Sequence, residues 1–336
     1  MKLFMLTQQL DPNASVLGFM WGWVNELAKH CETLYVSAYD FAETDQLPQN
    51  VKCYRFSYAM LPLTWLRLIY LKLFKGLDAV FVHMCPMFLV SVAPVCKLLG
   101  LPLVLWYNHE YTDFKLKVVC WLSTRVFSAY DEGCRPAGDK LVVIGGVGVY
   151  VPPSTAERSD NLILSVSRIS RSKRLSTIIE TMPQVPNARL EIVGEIYDYQ
   201  YLAELKQLAS DLGVADRVTF IGKVGFRNIG EYYRRATVFV DAQKINMNKT
   251  VLEAMICGTP VLVMSSAYNN ILGSFRDFCQ YANSEELAMR LNRLLTLKGE
   301  GEKIGRILQE RVEKEYGLEP FINRMTSELE KLKASA

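Results

Sequence analysis

The chain has 336 residues, long enough for two domains that each bury a core, and half of those residues are hydrophobic, as in a globular protein. Its 38 basic and 35 acidic side chains leave a net charge of only +3, which argues against a nucleic-acid protein and requires any anion site to be a local grouping of cations. Eight cysteines are scattered with no C-x-x-C pair, which points to buried free thiols in a reducing cytoplasm rather than to a zinc site or a disulfide framework.

The opening MKLFMLTQQLDP has four apolar residues in a row before polar ones begin, too few for a signal peptide, and reads as a first buried strand over residues 2–7. A cytoplasmic protein is therefore expected. No stretch approaches the ~18 uninterrupted apolar residues of a spanning helix, residues 86–96 coming nearest. After the loop QQLDPNAS, residues 17–31 carry Phe19, Trp23 and Leu27 with Met20 and Val24 at helical spacing, and residues 33–38 form a second strand. This β-α-β opening aims the first loop at the crevice where α/β sheets bind ligands. Gly18, near the helix start, either admits a ligand closely or serves helix packing.

Residues 63–75 (LTWLRLIYLKLFK) form a helix that mixes Arg67, Lys72 and Lys75 with Leu, Ile, Trp and Phe. It reads as a core helix with snorkelling charges, or as a helix lying on an anionic membrane surface in peripheral contact. Strands at 79–83 and 102–107, each following a turn at Gly76 or Gly100, alternate with helices, as in a parallel sheet. The second of them ends in Asn108, His109 and Glu110. Polar residues at the carboxyl end of a buried strand face the ligand crevice, so His109 is the best placed of three histidines to meet a reacting group, with core packing as its alternative. His30 and His83 read as structural.

A helix over 115–127 and a strand over 140–144 lead to GGVGVYVPP and the polar run 154–160, which divides domains 1–150 and 151–336. The GGVG run lacks G-x-G-x-x-G spacing and no helix follows it, so an oxidoreductase or epimerase has no fingerprint here. Beyond the boundary comes a strand at 162–166, then SRISRSKRL, then a helix from Leu175. Arg168, Arg171, Lys173 and Arg174 gather in that loop, where they suit a diphosphate or form a solvated surface cluster. Strands at 189–193 and 217–221 end in Gly194 and in Gly222 with Lys223, where an aromatic base can lie against backbone; a helix at 201–212 separates them. Residues 236–240 form a strand, DAQKINMN a polar loop, and 249–257 a short helix stopped by Gly258 before a buried strand opens at Pro260. The free N–H groups at that helix start suit a phosphate, and Glu253, one turn in, is either an acceptor for sugar hydroxyls or a solvated acid. Amphipathic helices at 284–296, 302–314 and 320–332 close the chain.

Three of these pieces resemble the retaining glycosyltransferases of family four, which have the GT-B fold. SRISRSKRL is similar to the G-R-L-x-x-x-K-G loop, with Arg168 and Lys173 at the matching positions; IVGE followed by LGVADRVTFIGKV is similar to the nucleotide-facing strands; LEAMICGTPVLV resembles the second half of the E-x7-E signature. The resemblance covers residues 160–265, and the first half matches only in layout and in its histidine after LVLWY. It implies an α/β protein of two Rossmann-like, doubly wound parallel-sheet domains facing a cleft, an acceptor bound by the first and a nucleotide-diphosphate sugar by the second, with the last helix returning to the first domain. It implies metal-independent transfer, without cofactor, to a glycan, lipid-linked or other hydroxyl acceptor. Arg168 and Lys173 would hold the diphosphate and His109 would sit near the transferred sugar. Glu253 would bind ribose, and Lys249, Thr250 and Val251 would meet phosphate, with Gly18, Gly194, Gly222, Lys223 and Asn248 completing the donor site.

The chain departs from the signature at Ile245, where the first glutamate belongs, and at Asn246, Met247 and Asn248, where G-F-G belongs. An isoleucine cannot accept a hydrogen bond from a sugar. Either Lys244, Asn246 or Asn248 takes over, or the donor differs, or the protein binds nucleotide without transferring sugar.

Overall fold

The computed structural model describes residues 1–109 and 112–334, the Lys298 side chain excepted, so Glu110 lies outside the described residues. The chain divides into two compact units, Met1–Gly148 with Glu315–Ala336, and Val149–Lys314.

In chain order the first unit contains β1 (Lys2–Leu6), β2 (Gln9–Leu10), α1 (Met20–Ala28), β3 (Thr33–Ala38), β4 (Asp40–Phe41), β5 (Val51–Arg55) and α2 (Leu61–Lys75). There follow β6 (Ala79–His83), α3 (Pro86–Leu98), β7 (Leu103–Trp106), α4 (Phe114–Leu122), β8 (Arg125–Ser128) and β9 (Leu141–Val143). Among the described residues, seven strands form a parallel sheet in the order β5-β3-β1-β6-β7-β8-β9, and β2 pairs with β4 separately. Helices cover both faces, which is why strands such as AVFVH are apolar at successive positions. On one face Leu68, Phe88, Val92 and Leu116 of α2, α3 and α4 pack on Phe4, Val80 and Leu105. On the other, Trp23 and Leu27 of α1 join Phe321 and Met325 of the C-terminal helix against Leu3, Met5 and Phe81. The Trp23 indole N–H donates to the Gly148 carbonyl at 3.2 Å. Gly148 has φ +59°, and a Cβ there would stand 2.6 Å from the Phe321 ring, so only glycine fits between chain and helix.

The helix expected over 115–127 stops at Leu122, and Arg125–Ser128 is a strand. Asp113 caps α4 through the Leu116 N–H at 2.7 Å, and β8 is claimed by its neighbours β7 and β9 in the sheet. Long-range pairing outweighs a helical period here.

The second unit contains β10 (Leu162–Val166), α5 (Leu175–Thr181), β11 (Arg189–Val193), α6 (Tyr199–Asp211), β12 (Val218–Gly222), α7 (Phe226–Arg235) and β13 (Val238–Asp241). After these come α8 (Lys249–Ile256), β14 (Val261–Val263), α9 (Asn269–Leu272), α10 (Arg276–Cys279), α11 (Ser284–Thr296) and α12 (Lys298–Tyr316); α13 (Leu318–Ala334) ends the chain. The strand order is β12-β11-β10-β13-β14, all parallel among the described residues. From β10 the chain winds outward through β11 and β12, then returns to the other side of β10 with β13. The loops after β10 and β13 therefore flank a topological switch point, the place where open α/β sheets bind ligands. Among the described residues no helix is long and apolar enough to cross a membrane.

Candidate functional site

The loops after β10 and β13 meet through Lys173. Its ammonium donates to Gln243 Oε1 and to Asn248 Oδ1, the latter at 3.0 Å. The Asn248 amide in turn donates to Asp241 Oδ2 at 2.8 Å, while its backbone N–H donates to the Tyr268 hydroxyl at 2.6 Å. The Tyr281 hydroxyl holds the Asp241 carbonyl at 3.0 Å. Asn248 is the N-cap residue of α8, so this network fixes a lysine at a helix N-terminus, where the backbone already favours negative charge. Burial pulls the Lys173 pKa below its ordinary value; Asp241 opposes that shift and Arg168 adds to it. Burial likewise pushes the Asp241 carboxyl up, against its hydrogen bond from Asn248 and the charge of Lys173. Two cations that disfavour each other in the loop after β10 are stabilised by an incoming anion.

The four basic residues of the loop separate by role. Arg168 is exposed, with its guanidinium 4.8 Å from the centre of the Tyr197 ring. Arg171 is committed elsewhere, to Glu204 at 2.6 Å and Asp198 at 3.6 Å. Arg174 adopts a left-handed φ of +52° ahead of α5.

The glycines also divide. Gly194 has φ +154°, and a Cβ there would fall 1.9 Å from the Ser167 carbonyl oxygen, so the neighbouring loop comes close to its backbone. Gly194→Ala is expected to force that loop, and Arg168 with it, apart from β11, costing about 3 kcal/mol or more; a urea denaturation midpoint unchanged from the native protein would refute this. Gly222 has φ +83° with open space where a Cβ would be, and its carbonyl accepts the Gly194 N–H at 2.9 Å. Lys223 is exposed, 3.8 Å from Glu195.

On α8, the Val251 N–H is bonded to the Asn248 carbonyl at 3.2 Å, leaving Lys249 and Thr250 to head the helix. Glu253 is 6% exposed and accepts a hydrogen bond from the Tyr233 hydroxyl at 2.8 Å. The Lys249 ammonium, one turn earlier, is also buried. Burial lowers the Lys249 pKa to about 8 with Glu253 opposing, and burial raises that of Glu253 with Lys249 and Tyr233 opposing. The carboxylate that the resemblance assigns to ribose is thus buried, with Tyr233 and Lys249 as its surroundings. Ile245 is 71% exposed in the loop before α8, with its carbonyl accepting from Gln243 at 2.7 Å. Lys244 lines an open depression of about 470 Å³ with Ser266, Arg276, Gln280, Glu286 and Arg290, beyond the carboxyl ends of β13 and β14. Sequence reading placed Gln243 only in the polar loop and missed Asp241 and Tyr268; a buried strand ending in an acid was the available signal for Asp241.

In the first unit, His109 is exposed beyond the carboxyl end of β7, its N–H donating to the Gly133 carbonyl at 2.9 Å. Asn108 Oδ1 accepts from Ser128 Oγ at 3.2 Å and from the Ala129 N–H at 3.3 Å, which pins the loop. His83 is buried, its ring 5.4 Å from Trp23 and 5.8 Å from Phe19. Gly18 is buried in the turn before α1, where its N–H donates to the Ala14 carbonyl at 3.1 Å. Among the described residues no group of three His, Cys, Asp or Glu is placed to hold a metal ion.

The family described as glycosyl transferases group 1 matches residues 151–311. Alpha-monoglucosyldiacylglycerol synthase of Streptococcus pneumoniae is 30% identical over 135 residues, 38% of this chain and 30% of that protein. Mannosylfructose-phosphate synthase of Agrobacterium fabrum is 31% identical over 112 residues, 30% of this chain and 25% of its own length. The matches thus span less than a third of these relatives. Among solved structures, Anabaena HepE in complex with UDP and glucose superposes with a TM-score of 0.74 at 17% identity, over 98% of this chain and 100% of that one. Sucrose-phosphate synthase from Thermosynechococcus elongatus does so with a TM-score of 0.72 at 17% identity, over the whole of both chains. At such identities the likeness is one of fold. The match falls on the unit that holds Lys173 against the start of α8: residues 151–311 match the glycosyl transferases group 1, and the chain has a GT-B fold of parallel α/β sheets.

Proposed function

We propose that the protein is a retaining, metal-independent glycosyltransferase that moves a sugar from a nucleotide-diphosphate-sugar donor to a hydroxyl acceptor. The observation that carries this reading is Lys173, fixed on the N-cap residue of α8 at the switch point of the second sheet. A donor diphosphate placed there meets the helix start, Lys173 and the exposed Arg168, which together offset the charge that builds on the leaving group. Those fixed cations occupy the electrostatic role a metal would otherwise fill, which supports metal independence. The leaving phosphate takes the proton of the attacking hydroxyl. Glu253 acts through α8, holding Lys249 and the helix start in place. The first unit takes the acceptor, with His109 exposed beyond β7.

The structure of HepE holds UDP and glucose, which favours a uridine donor, and the streptococcal relative is named for a diacylglycerol product, which favours a lipid acceptor. A thermal-shift panel of uridine, guanosine and adenosine diphosphate sugars, each with and without EDTA, tests donor and metal together. One donor is expected to raise the melting temperature equally in both conditions, because a ligand that binds only the folded state stabilises it. No shift with any donor, or a shift abolished by EDTA, contradicts the reading.

A second reading, a nucleotide-binding protein of the same fold without transferase activity, is favoured by Ile245 standing 71% exposed where a glutamate is expected. Donor binding with no sugar released, by transfer or by hydrolysis, would establish it.

A further inference from the structure

We infer that the outward face of the α2, α3 and α4 layer is a docking surface for a bilayer containing anionic lipid. Helix α2 has two apolar stripes. Leu68 and Leu71 enter the core, while Leu63, Leu66, Tyr70 and Leu73 recur at three- and four-residue spacing on the outer side, with Leu66 63% and Leu73 64% exposed. A surface helix is ordinarily polar opposite its core stripe. Helix α4 repeats the departure with Phe114, Val118 and Trp121, of which Phe114 is 78% and Trp121 69% exposed. Helix α3 joins the two: the Trp65 indole N–H donates to the Ser91 carbonyl at 2.8 Å, and the Lys97 ammonium lies 3.9 Å from the Trp121 ring centre. All three pack on one face of the same sheet, so their outer sides face the same way.

Charge selects the occupant. The three helices hold Arg67, Lys72, Lys75, Lys97, Lys115 and Lys117 and not one acidic residue. The nearby acids are already engaged, Asp78 with the Lys2 N–H and Lys333, and Asp113 as the cap of α4. A second copy seated on this face by twofold symmetry would set cation against cation. A nucleic acid would match the lysines but leave Leu66, Leu73 and Trp121 in water. A bilayer satisfies both: anionic headgroups meet the cations while leucine and aromatic side chains enter the headgroup boundary, where Trp and Tyr favour the interface.

The inference stands apart from the transferase reading, because lipid binding needs neither donor nor acceptor. The full chain is mixed with phosphatidylcholine vesicles, with and without phosphatidylglycerol, and sedimented at low and high salt. Expected is binding to the phosphatidylglycerol vesicles that weakens with salt, and that falls about tenfold or more in Leu66→Glu/Leu73→Glu and in Trp121→Glu, since each change replaces an inserting apolar group by a charge. These positions are exposed, so the variants are expected to melt with the native protein, and Lys115→Glu/Lys117→Glu serves as a second probe by removing the salt dependence. The inference is overturned if the native protein ignores phosphatidylglycerol vesicles at low salt, if the variants bind as well as it does, or if these substitutions abolish self-association while leaving lipid binding intact.

Discussion

Lys173→Ala is expected to lower kcat/KM for nucleotide-sugar turnover by about a hundred- to a thousandfold, the usual effect of removing one preorganised group that stabilises charge in the transition state. The lysine is held before any ligand arrives: Gln243 and Asn248 fix its ammonium, and Asn248 is fixed in turn by Asp241 and Tyr268. Little reorganisation would then be needed if a donor diphosphate accumulates charge there. The loss should divide between the two kinetic constants, with the larger part in kcat, because the charge on the leaving oxygen grows most in the transition state. Arg168→Ala is expected to act more weakly and chiefly on KM, since Arg168 is exposed and rests on Tyr197. Lys173→Arg keeps the charge but sets a planar fork where an ammonium fits between two amide oxygens, so only partial recovery is expected. Titration calorimetry with UDP separates lost binding from lost chemistry. Native turnover in both alanine variants would remove the phosphate assignment.

Glu253→Ala is expected to destabilise the second unit by about 3 to 5 kcal/mol, because it removes both the charge that opposes desolvation of the buried Lys249 ammonium and the acceptor of the Tyr233 hydroxyl. Tyr233→Phe should cost about 1.5 to 3 kcal/mol, the range for a lost hydrogen bond to a charged group. Urea midpoints measure both, and values unchanged from the native protein would show that the buried contacts of Glu253 contribute nothing to stability. The pair also predicts a pH dependence. The folded Lys249 pKa is depressed to about 8, so its contribution to stability is fully present only above the unfolded value and is lost as the pH falls through 8. Glu253 has a raised folded pKa, so its contribution is present below the unfolded carboxylate value and lost as the pH rises through the folded one. Relative to Lys249→Met, the native protein should therefore gain stability as the pH climbs from about 8 toward the ordinary lysine value. Equal urea midpoints on both sides of pH 8 would exclude a depressed Lys249.

Several elements follow from local pattern alone. Ala79–His83 and Leu162–Val166 are almost wholly apolar runs near turn residues, and a strand covered on both faces has little other way to be written, while Arg189–Val193 sets its apolar residues beside Arg189 and Glu191. The stretches around Arg168, Lys173 and Glu253 carry the family likeness because each motif lies within a short contiguous segment of the chain. Arg125–Ser128 was illegible, since its apolar residues satisfy a helical period as well as a strand. Val51–Arg55, an edge strand with partly exposed residues throughout, carries too weak an alternation to stand out. The α7 helix went unread although it is strongly amphipathic, and with it Tyr233, the partner of Glu253.

Sequence alone settles that two runs of alternating strands and helices exist, that a cationic loop follows one strand, and that an isoleucine stands in place of an acid. Those are local facts, governed by periodicity and by residue types a few positions apart. Tertiary structure decides which charges meet. Lys173 reaches Gln243 and Asn248 across 70 and 75 residues because β13 pairs beside β10, and that order follows from burying both sheet faces at once. The same packing turns Glu253 inward to Tyr233 and Lys249 and commits Arg171 to Glu204, while Lys173 is held by Gln243 and Asn248 and Arg168 stays exposed.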